Sequence, residues 1–167
     1  DIVVLIGSHS LEAEIESLSG SEYLEVIHNT IKGSPYIDLN LETIVQNTCI
    51  KAIQAGIIKS AHDCSDGGLA IALAESCIAG GMGLVCDQEI RGRWDTALFG
   101  EMQSRIVLSL SPDKVESFQE LALSMGTPYV VLGIVGGENL VINSLLNANI
   151  GELSEVWQNA IARQINS

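Results

Sequence analysis

Basic residues are scarce in this sequence. Lys and Arg number 8 against 21 Asp and Glu, leaving a formal net charge of −13 over 167 residues. Neutralising nucleic-acid phosphates takes clustered Lys and Arg, so electrostatic binding of nucleic acid is disfavoured, as is adsorption to an anionic membrane surface. Long apolar runs are missing too. Mean hydropathy is +0.30, yet no stretch approaches the ~20 residues of a spanning helix. No C-x-x-C pair occurs, which excludes zinc-ribbon and thioredoxin-like sites. The cysteines present (Cys49, Cys64, Cys77 and Cys86) sit in apolar company and read as buried, reduced thiols, which fits a cytoplasmic setting. Aromatic residues make up only 4%, and Trp94 and Trp157 read as packing residues. There is no initiator Met and no secretory leader pattern, and Asp1 to Gly7 already reads as a core strand. The chain is therefore expected to be a piece of something longer.

What is there is apolar: hydrophobic residues make up 47%. At ~100–200 residues per domain, residues 1–167 make a single domain with room for a sizeable core. Residues 2–7 are a continuous β-branched run ending in Gly7, as in a strand covered on both faces. Residues 8–20 are polar and read as a loop with a helical turn around Leu11 to Ile15, and Ser21 caps a short helix running to His28. Gly33-Ser34-Pro35 then breaks the chain. Leu41, Ile44, Val45, Thr48, Cys49, Ala52 and Ile53 recur at helical spacing, predicting an amphipathic helix over 40–55 closed by Gly56.

A strand over 59–64 runs into Ser65-Asp66-Gly67-Gly68 and an alanine-rich helix over 69–78. Further strands are predicted at 83–86 and 104–110, and a helix over 113–124 behind Pro112. Tyr129 to Val135 reads as a strand whose hairpin partner, 140–142, follows a turn at Gly136-Gly137-Glu138-Asn139. A helix over 153–165, with Val156, Trp157, Ala160 and Ile161 on one face, ends the chain. Strands and helices interleave, which predicts an α/β domain of mixed (α+β) character, a mixed sheet layered with helices.

The segment His62-Asp63-Cys64-Ser65-Asp66-Gly67-Gly68 crosses from a strand into a helix. Consecutive glycines let a ligand approach the backbone closely and offer N–H groups to an anion. Asp63 and Asp66 could hold a hard cation such as Mg²⁺, which prefers carboxylate oxygens and often bridges to phosphate. The same residues also suit a plain helix cap, with Ser65 or Asp66 at the N-cap. His62 alone reads as a packed strand residue. A second cluster, Glu101, Gln103, Ser104 and Arg105, precedes a strand, where Glu101 and Arg105 could close a loop as an exposed ion pair worth ~0–1 kcal/mol. No nucleophilic triad is assembled around His9 or His28.

The string His62-Asp63-Cys64-Ser65-Asp66-Gly67-Gly68-Leu69-Ala70 resembles the H-D-x-S-D-G-G-L signature of the synthetase subunit of phosphoribosylformylglycinamidine synthases. Similarity runs on through Gly20-Ser21-Glu22-Tyr23-Leu24, Pro35 with Ile37-Asp38-Leu39, Phe99-Gly100-Glu101 with Arg105-Ile106-Val107, and the terminal 152–161 with Trp157. The family's valine is Cys64 here. The resemblance covers essentially the whole chain and implies the C-terminal α/β domain of the aminoimidazole ribonucleotide synthetase superfamily, here the second B domain of a pseudo-symmetric enzyme.

The reaction so implied is ATP-dependent conversion of formylglycinamide ribonucleotide to its amidine, in purine biosynthesis. ATP activates the formyl amide oxygen as an iminophosphate, which glutamine-derived ammonia displaces, with Mg²⁺ offsetting the triphosphate charge. The implied partners are the preceding A domains, a glutaminase subunit and a small third subunit. By pseudo-symmetry, Asp63 takes the place of a Mg²⁺ aspartate. The family's substrate-binding Glu-Ser-Gln falls on Glu101-Met102-Gln103, where Met102 departs from the serine. His62, Ser65, Asp66, Gly67, Gly68 and Arg105 complete the nucleotide and substrate candidates. The catalytic histidine and most ATP ligands belong to the A domains, so these residues alone are expected to be inactive. The alternative is a structural domain that completes the pseudo-symmetric core and docks partner subunits.

Overall fold

Strand β1 (Ile2–Ile6) lies inside the main sheet, with strands on both sides, and is apolar at every position. Side chains alternate across a strand, so Val3 and Leu5 enter one core while Val4 and Ile6 enter the other. The expected two-sided strand is what forms. The computed structural model describes residues 1–165. It arranges β3 (Ser60–Asp63), β6 (Ile106–Leu110), β1, β7 (Tyr129–Val135), β4 (Leu84–Cys86), β8 (Asn139–Ile142) and β9 (Leu146–Asn149) side by side, in that order, in one seven-stranded sheet. Neighbours are antiparallel except β4 and β8, which are parallel. A separate parallel pair joins β2 (Leu11–Glu12) to β5 (Ile90–Arg91).

Two helices cover one face. In α2 (Leu39–Gln54) the predicted stripe buries Val45, Thr48, Cys49 and Ala52, with Ile53 left exposed at its margin. Beside it, α5 (Val115–Met125) contributes Phe118 and Ala122 to the same core. On the other face α3 (Gly68–Gly80) presses Leu69, Leu73 and Cys77 onto the sheet, joined by Ile150 of α6 (Ile150–Gln158). All four cysteines are free and buried, as expected. No helix among the described residues is long and apolar enough to cross a membrane.

Several expectations fail on tertiary grounds. The strand at 139–142 is not the hairpin partner of β7, because β4 inserts between them and pairs with both. Backbone bonds from Gly83 to Gly137 and from Gly136 to Gly83 bind the intervening turn to the start of β4 instead. The loop over 8–20 contains β2 and a 3₁₀ turn at Ile15–Leu18, so the turn expected around Leu11 to Ile15 begins only at Ile15, while Leu11 lies in β2. The closing helix starts earlier than predicted, because Asn149 caps it by accepting from Gly151 and Glu152. It breaks at Asn159 into α6 and α7 (Ala160–Ile165). The face read for it, Val156, Trp157 and Ile161, is exposed, while Trp94, half-exposed, packs edge-on against Phe99.

Candidate functional site

The Asp63–Gly67 turn lies where edge strand β3 gives way to α3. Cys64 donates its N–H to the Arg105 carbonyl (2.9 Å), which ties the turn to the start of β6, and Gly68 donates to the Ser65 carbonyl (2.9 Å). Gly67 is the N-cap of α3 at φ 77°, and no side chain of its own neighbourhood caps the helix. The local-cap reading of Ser65 and Asp66 therefore fails. Among the described residues the Asp63 and Asp66 carboxylates have no hydrogen-bond or ion-pair partner, and both residues are exposed.

The helix end is capped from elsewhere. Glu101 Oε1 accepts the N–H of Gly67 (2.8 Å) and also that of Glu22 (2.9 Å), the first residue of α1 (Glu22–His28). The expected Glu101–Arg105 ion pair is absent among the described residues, because the two side chains leave the segment in different directions. Arg105 is 6% exposed and turns inward; its Nη2 donates to the Gly100 carbonyl and its Nε has no partner. Burial disfavours the charged guanidinium and pulls its pKa below the usual arginine value. Cys64, beside it, is pushed up to about 11 by burial, an effect the Arg105 charge partly offsets.

Asp63, Ser65, Asp66, Glu101, Gln103 and Arg105 all line one open cleft of about 400 Å³. The other three candidates, His62, Gly67 and Gly68, are not among its lining residues. His62 neighbours Asp63 on the strand and so faces the opposite side, where its Nε2 lies 3.2 Å from Glu75 and it borders a separate hollow with Leu73 and Cys77. Gly68 is buried for packing: a Cβ there would lie 2.5 Å from the Gly100 carbonyl, and its φ of +65° disfavours other residues. The expectation of free glycine amides is corrected as well, since Glu101 takes that of Gly67 and Ser65 that of Gly68.

The cleft also has walls that residue-by-residue reading missed. Glu42 of α2 lines it and accepts from the Ser104 hydroxyl, while Ser19, Gly20 and Pro35 form its rim. A carboxylate beside the apolar stripe of α2 was the available signal for Glu42. Nothing local marks Ser19.

The mixed sheet with helices on both faces is matched by known proteins. The family model described as AIR synthase related protein, C-terminal domain, matches residues 1–143. The chain belongs to this family. The subunit PurL of phosphoribosylformylglycinamidine synthase from Anaeromyxobacter dehalogenans (strain 2CP-C) is 42% identical over 130 residues, covering 72% of this chain and 17% of that protein. The corresponding subunit from Alkaliphilus metalliredigens is 39% identical over 127 residues, covering 74% of this chain and again 17% of the relative. The chain thus spans only a small part of the curated relatives it matches.

Among solved structures, Thermotoga maritima PurL complexed with FGAR aligns with a TM-score of 0.71 at 19% identity, over 92% of this chain and 27% of that one. The same protein complexed with ATP aligns at 0.67 and 17% identity, over 92% and 25%. These likenesses establish the fold: the AIR synthase related C-terminal domain is a mixed sheet layered with helices, as the sequence predicted.

Proposed function

We propose that this AIR synthase related domain serves a formylglycinamidine synthase, lending the Asp63–Asp66 turn to a Mg²⁺–nucleotide site that other domains complete. The observation that carries this reading is the pair of unpaired carboxylates, Asp63 and Asp66, lining a cleft beside a helix start whose N–H is taken by the distant Glu101. If either were needed for folding, it would be bonded to the helix end. Relatives named as PurL support the reaction, and the T. maritima protein is solved with ATP, ADP and AMPPCP.

The residues fit Mg²⁺ held in part by phosphate. No group of three or more His, Cys, Asp or Glu side chains among the described residues could hold a metal by itself. Mg²⁺ is often bound through one or two carboxylates with the remaining positions filled by water and phosphate oxygens. When bound, it neutralises phosphate charge during transfer. Asp63 supplies the carboxylate, with Asp66 as its neighbour. The Ser65 hydroxyl and Gln103 carboxamide, which also line the cleft, offer neutral hydrogen bonds. In the full protein, ATP would activate formylglycinamide ribonucleotide for attack by glutamine-derived ammonia, with glutaminase and a small third subunit as partners. The solved PurLQS assembly of T. maritima supports such partners. Residues 1–167 alone are expected to form no amidine.

Asp63→Asn in the full-length protein tests the reading, since it keeps shape and hydrogen bonding but removes charge. Mg²⁺–ATP affinity should fall about tenfold or more, with the melting temperature nearly unchanged. Unfolding with unchanged nucleotide affinity would make Asp63 a structural residue. One observation favours an added docking role: Val85, Val131 and Ile134 form an exposed apolar strip on the sheet face that α2 and α5 leave uncovered.

A further inference from the structure

Glu101 is the one cleft carboxylate already engaged by backbone, and it joins two helices distant in sequence. A single oxygen, Oε1, takes N–H groups from Glu22, at the start of α1, and from Gly67, at the start of α3. Anionic acceptors are favoured at helix starts, where unpaired N–H groups and the helix dipole converge.

Glu101 is itself firmly held. Its N–H donates to the Ser17 carbonyl (2.8 Å), and the preceding carbonyl, of Gly100, accepts from the buried Arg105 guanidinium. Gly68 packs against that same Gly100 carbonyl. The carboxylate is thus set by a braced backbone.

What it holds on the other side is a helix with no buried residue of its own. Besides Glu101, α1 is tied in by its buried N-cap, Ser21, whose hydroxyl donates to the Leu18 carbonyl (2.7 Å), and by a Tyr23–Phe99 ring stack with centroids 5.0 Å apart. The chain on either side of α1 carries Ser19, Gly20 and Pro35, which line the same cleft as Asp63.

We propose that Glu101 is a positioning residue, a clasp fastening α1 and the cleft rim to the Asp63–Gly67 turn, rather than a group that touches substrate or metal. The clasp needs an acceptor oxygen and not a charge. This departs from the pseudo-symmetry expectation, which made Glu101 a substrate contact. The affinity readout below rests on the nucleotide reading given above; the exchange readout does not.

Three variants of the full-length protein test it, read by amide hydrogen exchange and by titration with Mg²⁺–ATP. Glu101→Gln keeps a carbonyl oxygen for both N–H groups, so exchange in peptides 20–28 and 64–68 and nucleotide affinity should stay within about twofold of native. Glu101→Ala removes the acceptor, and exchange in both peptides should quicken together by about five- to tenfold, with a several-fold loss of affinity. Glu22→Pro deletes one donor at a first-turn position that suits proline, behind Ser21 in an extended conformation (φ −74°, ψ 151°). It should loosen 20–28 alone, and it decides the question if Glu101→Ala fails to fold.

Tenfold weaker Mg²⁺–ATP binding in Glu101→Gln with native exchange would show the charge working on the ligand, and the clasp would be wrong. So would quickening of only one peptide in Glu101→Ala, or native exchange in Glu22→Pro. If the native protein binds no Mg²⁺–ATP, the nucleotide reading falls, while the joint exchange response still decides the clasp.

Discussion

Helices α2 and α3 both pack against the sheet, on opposite faces, yet they begin in opposite ways. The N-cap of α2 is Asp38, whose Oδ1 accepts the N–H groups of Asn40 (2.9 Å) and Leu41 (3.2 Å). Everything that start requires lies within three residues. The N-cap of α3 is Gly67, which has no side chain, and its acceptor arrives from Glu101, 34 residues downstream. A helix capped by its own aspartate has used that aspartate. A helix capped from a distance leaves nearby carboxylates unspent, and Asp63 and Asp66 are the ones left over. The difference shows where a fold can keep charge available for a ligand.

The largest expected effect concerns the bodies of the helices rather than their ends. Leu73 of α3 is 1% exposed, so Leu73→Ala should cost ~2–5 kcal/mol in denaturant unfolding. Ile53, on the margin of α2 and 55% exposed, should lose less than about half a kcal/mol when changed to Ala. Comparable losses at both sites would mean that the two helices are not seated as described.

Next comes pH. Burial pushes both Cys64, on the turn before α3, and Cys77, within α3, up to about 11 from an ordinary value of 9.0. A raised thiol pKa means that the folded chain keeps a proton the unfolded chain has lost. The stabilisation is therefore complete below about pH 9 and drains away as pH rises towards 11, by an amount on the order of 1–3 kcal/mol. Melting temperature should drop between about pH 8 and about pH 10.5, and the drop should shrink when Cys64 and Cys77 are both alanine. Cys49 of α2 is raised for the same reason. A Cys49→Ala variant that removed the whole drop would move the alkaline weakness to the wrong helix.

The caps come last and compare the two helices directly. Glu101→Ala should cost ~1–2 kcal/mol, since two N–H groups lose their acceptor. Asp38→Ala should cost ~1 kcal/mol and leave the α3 turn unchanged in hydrogen exchange. If Asp38→Ala disturbed the Asp63–Gly67 turn, the two starts would be coupled and the contrast between them would fail.

This contrast also explains what could be read along the chain. The apolar period of α2 predicted a helix over 40–55, and the helix spans Leu39–Gln54, because period and cap are both local. The same holds for Ser21 before α1 and for the β-branched run of β1. The two-residue strands β2 and β5 and the six-residue α4 (Trp94–Phe99) carry too few residues to show a period. The hairpin expected after β7 does not form; a Gly-rich turn between two apolar runs looks the same whether or not another strand inserts between them. At the site, Asp63, Ser65 and Asp66 were legible as a strand-to-helix turn, but nothing local could have linked Glu101 to Gly67 and Glu22, or turned Arg105 away from Glu101.

By itself, then, the sequence determined the alternating apolar faces, the helices with their own caps, the acidic surface and the signature around Asp63. These depend on period, side-chain chemistry and neighbours a few residues away. Tertiary structure alone decided that β4 separates β7 from β8, that His62 faces away from Asp63's cleft, and that Glu101 closes two helix starts at once. Backbone pairing and a shared acceptor depend on which distant segments are brought within hydrogen-bonding reach, and that follows from how the sheet buries both of its cores.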